Sequence, residues 1–179
     1  VEPDLLIGHS MGEVAAACFA GVLSARDAAR VICVRSRYLS RLRGRGRMAL
    51  LGVDPQTAAR WIEPVASRVS LAVHNARNST VISGDSEVVA EILQRVTATG
   101  AYGAMVDVDA ASHSAQVDAF LGPMRDELSS IRPQRGEIAF FSTVDADWRD
   151  GASLDAGYWC RNLRHMVRFW SSATRLLDE

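Results

Sequence analysis

The chain contains no lysine, and all 20 of its basic residues are arginine. That absence excludes Schiff-base chemistry, a lysine general base and a phosphate loop of the Walker type. An arginine- and alanine-heavy chain without lysine also hints at a GC-rich bacterial genome. Cysteine is scarce: Cys18, Cys33 and Cys160 are odd in number and far apart, which fits neither a disulfide framework nor a metal site, and implies reduced thiols in a cytoplasmic setting. No apolar run reaches about 18 residues, and Val1-Glu2-Pro3-Asp4 lacks a basic segment followed by an apolar one. Neither a membrane span nor a signal peptide is therefore expected. The net charge of −1 offers no basic field for a phosphate backbone, which argues against nucleic acid as a partner. What remains is a 179-residue chain with 48% hydrophobic and 23% charged residues, the composition of one globular domain, or of one domain with a subdomain.

The residue pattern reads as α/β. Asp4 to Gly8 is a short apolar strand, followed by an alanine-rich helix to about Ala20 that Gly21 is placed to end. Ser24 caps a second helix, with Asp27 as an acidic variant of the capping box, and the helix is expected to run to Leu42. Arg43-Gly44-Arg45-Gly46-Arg47 breaks it and reads as a hinge or subdomain boundary. The next stretch alternates strand (48–53), helix (55–66), strand (69–74), strand (80–84), helix (86–97) and strand (104–108). That βαββαβ order is ferredoxin-like. Beyond it, 114–131 reads as helix, 137–142 as strand, and 155–177 as mainly helical.

Gly8-His9-Ser10-Met11-Gly12 fits G-x-S-x-G between a strand and a helix, where a sharp turn presents a serine hydroxyl above a sheet. The helix beyond it aims free N–H groups at a developing oxyanion. A serine nucleophile needs a base, and four histidines are available. His9 adjoins the serine and should point away from its hydroxyl, His74 falls in a strand and His165 in an apolar helix. His113 falls where a strand gives way to a helix, a common position for catalytic groups, yet spacing alone leaves the choice open. In the second helix the stripe Ala28, Ile32, Leu39, Leu42 places Arg35 on the inward face and Arg37 and Arg41 on the solvated one. An inward guanidinium needs an anion, supplied either by a distant carboxylate of the chain or by a ligand.

Five motifs in order now resemble a family: Gly8-His9-Ser10-Met11-Gly12-Glu13, Arg35 at 25 residues beyond Ser10, the ferredoxin-like insert, Ala110-Ala111-Ser112-His113-Ser114, and Tyr158-Trp159-Cys160-Arg161-Asn162-Leu163-Arg164 with Val167-Arg168-Phe169 after it. They are similar to the acyltransferase domain of modular polyketide synthases and to malonyl-CoA:acyl-carrier-protein transacylases. The resemblance implies a hydrolase-like parallel-sheet subdomain in two parts (1–46 and 110–179) with a ferredoxin-like subdomain (47–109) inserted. It implies an acyl-CoA:acyl-carrier-protein acyltransferase of EC 2.3.1 type, with Ser10 attacking the acyl-CoA thioester, His113 as base, and transfer to the phosphopantetheine thiol of an acyl carrier protein within a multienzyme. It assigns Arg35 to the free carboxylate of a malonyl-type unit, the Met11 N–H to the oxyanion, and the Asn162 backbone carbonyl to orienting His113, with His9 as a supporting residue. No metal and no resident cofactor is implied.

At the four residues ending in the histidine, malonyl-selecting members typically read His-Ala-Phe-His and methylmalonyl-selecting ones Tyr-Ala-Ser-His. Here Ala110-Ala111-Ser112-His113 keeps the small serine, so methylmalonyl is favoured over malonyl, and Ala110 enlarges the pocket further. The family's upstream Gly-Gln-Gly and later Gly-Pro-His segments do not occur, so a central fragment of the domain is expected. The alternatives are a serine hydrolase or thioesterase, to which the serine elbow is equally suited, and a catalytically idle fragment or docking module.

Overall fold

The computed structural model describes residues 3–178. Its first sheet has the strand order β1-β6-β7, from β1 (Leu5–Ile7), β6 (Ala139–Ser142) and β7 (Asp147–Arg149). β1 and β6 run parallel, Leu6 opposite Phe140, and β7 returns antiparallel. Around this sheet pack helices α1 (Gly12–Phe19), α2 (Ala25–Ser40), α5 (Asp118–Leu128) and α6 (Ala156–Arg164). Their shared core includes Val14, Ala17, Val31, Val34, Met124, Leu128, Phe140, Trp159 and Leu163.

The second sheet has the order β3-β4-β2-β5, wholly antiparallel, from β2 (Gly46–Leu51), β3 (Val69–Ala76), β4 (Ser79–Asp85) and β5 (Gly103–Met105). With α3 (Pro55–Ile62) and α4 (Ser86–Ala98) it is the ferredoxin-like arrangement. The two-residue period of β2 explains how this sheet is buried on both faces. Ala49 and Leu51 pack under Ile62, Val89 and Ile92 of the two helices, while Met48 lies on the opposite face with Ala72, Val81 and Val167.

Helix α2 starts as the sequence implies, with the Ser24 hydroxyl accepting from the Asp27 N–H at 3.0 Å. The other half of the capping box is replaced by a tertiary contact: the Asp27 carboxylate accepts from the Arg132 N–H at 3.4 Å. The helix ends at Ser40 instead of Leu42, and the expected break at 43–47 is a turn followed directly by β2, in which Gly46 and Arg47 are strand residues. The expected helix 155–177 is two helices, α6 and α7 (Phe169–Asp178), separated at 165–168. Residues 165–168 are held by other elements: the Val167 N–H donates to Ala72 O at 2.9 Å, the His74 N–H to Val167 O at 2.8 Å, and the Arg168 N–H to Thr143 O at 2.8 Å. Strand β7 is absent from the sequence reading, because Asp147-Trp148-Arg149 has no apolar alternation long enough to register. Among the described residues no helix is long and apolar enough to cross a membrane.

Candidate active site

Ser10 lies on the turn between β1 and α1 with φ of 53°. A side chain pays about 1 to 2 kcal/mol for that left-handed backbone, so the turn holds the serine in a strained position. Gly8 makes the turn possible, since a Cβ there would lie 2.3 Å from the Glu13 nitrogen. The second motif glycine has no such reason, because nothing lies within 4 Å of a Cβ at Gly12. The Gly12 and Glu13 N–H groups are taken by the His9 and Ser10 carbonyls at 2.8 and 3.0 Å. The Met11 N–H is thus the first-turn donor left beside Ser10.

His113 is the histidine that meets Ser10: its Nε2 lies 2.7 Å from Ser10 Oγ. It too has a left-handed backbone, with φ of 57°. Both neighbours pin it there. The Ser83 hydroxyl of β4 donates to Ser112 O at 2.6 Å, the Ser114 hydroxyl donates to Ala111 O at 2.8 Å, and the His113 N–H itself donates to Leu163 O at 2.9 Å. Nδ1 faces the His165 carbonyl at 2.8 Å. A carbonyl only accepts, so Nδ1 carries the proton and Nε2 presents its lone pair to the serine hydroxyl. Burial, and after it the Arg35 charge, push His113 from 6.5 down to about 3, with the His165 hydrogen bond opposing. The imidazole is therefore neutral at physiological pH, as a general base must be.

The expectation that the Asn162 carbonyl orients the histidine is corrected here. Asn162 lies inside α6, whereas His165 follows the helix with extended backbone (φ −87°, ψ 163°), which turns its carbonyl out of the helix toward the imidazole. His165 is likewise a helix cap and not a member of an apolar helix. Asn162 serves the site through its side chain. Its Oδ1 accepts from Arg35 Nη1 at 2.5 Å, and its Nδ2 donates to Ser10 O at 3.1 Å and to Glu13 Oε2 at 2.8 Å.

Arg35 faces inward, 4% exposed, and its Nη2 donates to Ser10 Oγ at 3.0 Å. Burial lowers its pKa from 12.5 to about 10, with the Glu13 charge opposing, so it remains a cation at neutral pH. Among the described residues no carboxylate forms an ion pair with it. Arg37 and Arg41, on the solvated face, do find partners: Arg37 pairs with Glu127, and Arg41 lies over the Tyr38 ring at 4.8 Å.

Of the remaining candidates, His9 points away from the serine, its Nε2 on Asn75 Oδ1 at 2.9 Å and its ring 5.5 Å from that of Phe169. His74 is half-buried in β3. Met11, Ala110 and Ser112 line one cleft of about 420 Å³, together with Leu39, Arg43 and Met48. That cleft reaches Met11, the neighbour of Ser10, between α2 and the segment 107–112. The Ser112 hydroxyl itself rests on the Met48 sulfur at 3.7 Å.

The sequence reading missed Glu13 and the groups around it, Thr143 and Tyr158. A signal existed: Glu13 stands four positions before Ala17 and so shares the buried face of α1. A distant carboxylate is one of the two partners open to Arg35, and nothing in the spacing singles out Glu13 as that acid. Thr143 and Tyr158 come from distant stretches and carry no such mark.

The profile of the family described as acyl transferase domain matches residues 1–179. The chain is 45% identical over 179 residues to the spectinabilin polyketide synthase system protein NorC of Streptomyces orinoci, covering 99% of this chain and 8% of that protein. It superimposes with a TM-score of 0.97 and 39% identity on the acyltransferase domain from module 8 of the salinomycin polyketide synthase, covering 99% of this chain and 42% of that one. A similar match, with a TM-score of 0.94 and 36% identity, is the acyltransferase domain of the polyketide synthase PpsC of Mycobacterium tuberculosis, covering 99% of this chain and 55% of that one. The chain thus spans a small part of the first and about half of the solved domains. With its ordered motifs, its fold and this match along its whole length, the chain belongs to the acyl transferase domain family.

Proposed function

We propose that the chain carries out acyl transfer from a malonyl-type CoA thioester to the phosphopantetheine thiol of an acyl carrier protein, as part of a polyketide-synthesising multienzyme. The observation that carries this reading is the placing of Ser10 Oγ between His113 Nε2 at 2.7 Å and Arg35 Nη2 at 3.0 Å. Ser10 attacks the thioester carbon while its proton passes to Nε2, and the charge that develops on the acyl oxygen meets the Met11 N–H. The tetrahedral species collapses, the C–S bond breaks, and the CoA sulfur leaves with the proton from His113. A carrier thiol then enters, gives its proton to His113 and releases Ser10 by the same steps reversed.

Arg35 sets which acyl groups gain from the site. In a malonyl ester of Ser10 the free carboxylate is two bonds from the acyl carbon, and Nη2 is already beside Oγ. The guanidinium exchanges its contact with the hydroxyl for a charged one with the carboxylate, an exchange that a monocarboxylic acyl group cannot offer. For the α-substituent, Ser112 and Ala110 leave room in the cleft, which supports methylmalonyl over malonyl. CoA and the phosphopantetheine arm are substrates here, and the chemistry needs no resident cofactor.

Hydrolysis is the competing outcome of the same elbow. His113 Nδ1 rests on a carbonyl and not on the carboxylate that a Ser-Asp-His hydrolase places there, which favours transfer. The test is the intact mass of the protein after mixing with malonyl-, methylmalonyl- and acetyl-CoA, with and without a carrier protein. Added mass on Ser10 that moves to the carrier is the expected result. Failure of Ser10 to acquire any acyl group would sink the reading, and release of free acid with no carrier loading would favour the hydrolase.

A further inference from the structure

Glu13 is fully buried and takes no part in the steps above, yet it is the hub of the site's hydrogen bonds. Its Oε1 accepts from the Thr143 N–H at 2.5 Å and lies 2.8 Å from the Thr143 hydroxyl. Its Oε2 faces the Tyr158 hydroxyl at 2.7 Å and the Asn162 amide nitrogen at 2.8 Å. The Thr143 N–H and the Asn162 NH₂ can only donate, and they fall one on each oxygen, so both oxygens must accept.

Three groups fix the way Asn162 points, Glu13 and the Ser10 carbonyl as acceptors and the Arg35 guanidinium as donor. With its NH₂ toward Glu13 and the Ser10 carbonyl, its oxygen is turned to Arg35 Nη1. The reversed amide would set donor against donor at the guanidinium. Burial raises the Glu13 pKa above the usual carboxylate value and its hydrogen bonds to Tyr158, Thr143 and Asn162 oppose the rise; in the ionised form it supplies, at one remove, the negative charge that a buried guanidinium needs. A direct ion pair would occupy the Arg35 fork and compete with any anionic acyl group.

We propose that Glu13 is a positioning residue for carboxylate recognition: through Asn162 it orients and charge-compensates Arg35 while leaving the Nη2 that faces Ser10 free for the substrate. The inference rests on the acyl-transfer reading for its substrate, but its geometry can be tested apart from it.

The decisive variant is Glu13→Gln. Its new NH₂ must face either the Thr143 N–H or Asn162, and the backbone donor cannot turn away. Asn162 therefore flips and loses its bond to Arg35. The expected results are a fall of about tenfold or more in the ratio of malonyl to acetyl loading on Ser10, and loss of the exchange-protected Arg35 guanidinium signal in ¹H–¹⁵N NMR spectra. A second variant, Glu13→Gln with Asn162→Asp, restores the match between residues 13 and 162 and toward Arg35, while an aspartate oxygen now faces the Ser10 carbonyl that the Asn162 NH₂ had served. The glutamine NH₂ then donates to the new aspartate and to the Tyr158 oxygen, while the Tyr158 hydroxyl donates to Ser142 Oγ, already 2.8 Å away. It is expected to recover the Arg35 signal but not the malonyl preference, because the aspartate now pairs with Arg35 directly.

An unchanged Arg35 signal in Glu13→Gln overturns the proposal. So does an equal loss of malonyl and acetyl loading, or a double variant that does not recover the Arg35 signal. If wild type itself takes no acyl group, the transfer reading falls, and the NMR measurement still decides the role of Glu13.

Discussion

Ser10 and His113 both hold left-handed backbone conformations, with φ of 53° and 57°, and it is these two strained residues whose side chains meet at 2.7 Å. Strain of this kind persists only where surrounding contacts over-determine it. At Ser10 the contacts can be separated from the chemistry. Ser10→Ala is expected to abolish acyl-enzyme formation, read as intact mass after malonyl-CoA. Ser10→Gly is expected to be equally inactive but to melt above Ser10→Ala by an amount worth about 1 kcal/mol, since glycine adopts this φ freely. Equal melting of the two variants would mean that the turn is unstrained.

Arg35→Ala removes the cation that the carboxylate is proposed to meet. Loading of malonyl-CoA is expected to fall by about 2 to 4 kcal/mol, or about 30- to 900-fold, relative to loading of acetyl-CoA. An equal fall for both thioesters would leave Arg35 as a prop for Ser10 and Asn162.

Acid sensitivity is expected to trace to His113. Its folded pKa lies far below that of a free imidazole, near 3 against 6.5. Between those values the unfolded chain binds the proton and the folded one does not, so stability present above pH 6.5 is lost as pH falls. Unfolding by urea at stepped pH checks this, with a flatter profile expected for His113→Asn. The same depression keeps the base neutral in mild acid, so acylation by malonyl-CoA should not decline with a midpoint near 6.5.

The two glycines of the serine motif are expected to differ. Gly8→Ala forces a Cβ to 2.3 Å from the Glu13 nitrogen, a backbone atom with no room to move. Its cost should reach or exceed the ~3 kcal/mol of ordinary overpacking, seen as a lower melting temperature. Gly12→Ala meets nothing within 4 Å at the start of α1 and should be neutral, or stabilising by up to about 1 kcal/mol.

Ser112→Phe is expected to fill the part of the cleft where an α-methyl group would sit, against Met48. Overpacking of about 1 to 3 kcal/mol corresponds to about 5- to 150-fold in the relative kcat/KM of malonyl over methylmalonyl. Competition between the two CoA thioesters on folded wild type and variant checks it. A wild-type preference for malonyl would defeat the argument from residue size, and an unmoved ratio would transfer attention to Met11 and Ala110.

What the sequence made legible was whatever one element encodes by itself. The seven-residue step of α2 was enough to turn Arg35 inward, the strand–turn–helix setting was enough to put Ser10 on a sharp turn, and the alternation of β2 with its neighbours was enough for the ferredoxin-like sheet. What it hid depends on where separate elements meet. The His165 carbonyl reaches His113 only because α6 stops at Arg164 and the chain turns out, a stop enforced by backbone bonds to Ala72, His74 and Thr143 that no local pattern records. Glu13 was visible as an inward acid on α1, but its partners come from the end of β6 and from α6, about 130 to 149 residues away.

Residues 165–168 thereby carry a consequence for how the chain tolerates change. This segment is stitched to the outer strand of one sheet and to the loop after a strand of the other, and it also supplies the acceptor that holds the imidazole. Val167 also packs with Met48, Ala72 and Val81, so loosening this segment disturbs the His113 imidazole and a core together. Substitutions at 165–168, far from Ser10 by sequence, are therefore expected to reach the Ser10–His113 contact through packing and not through the site itself.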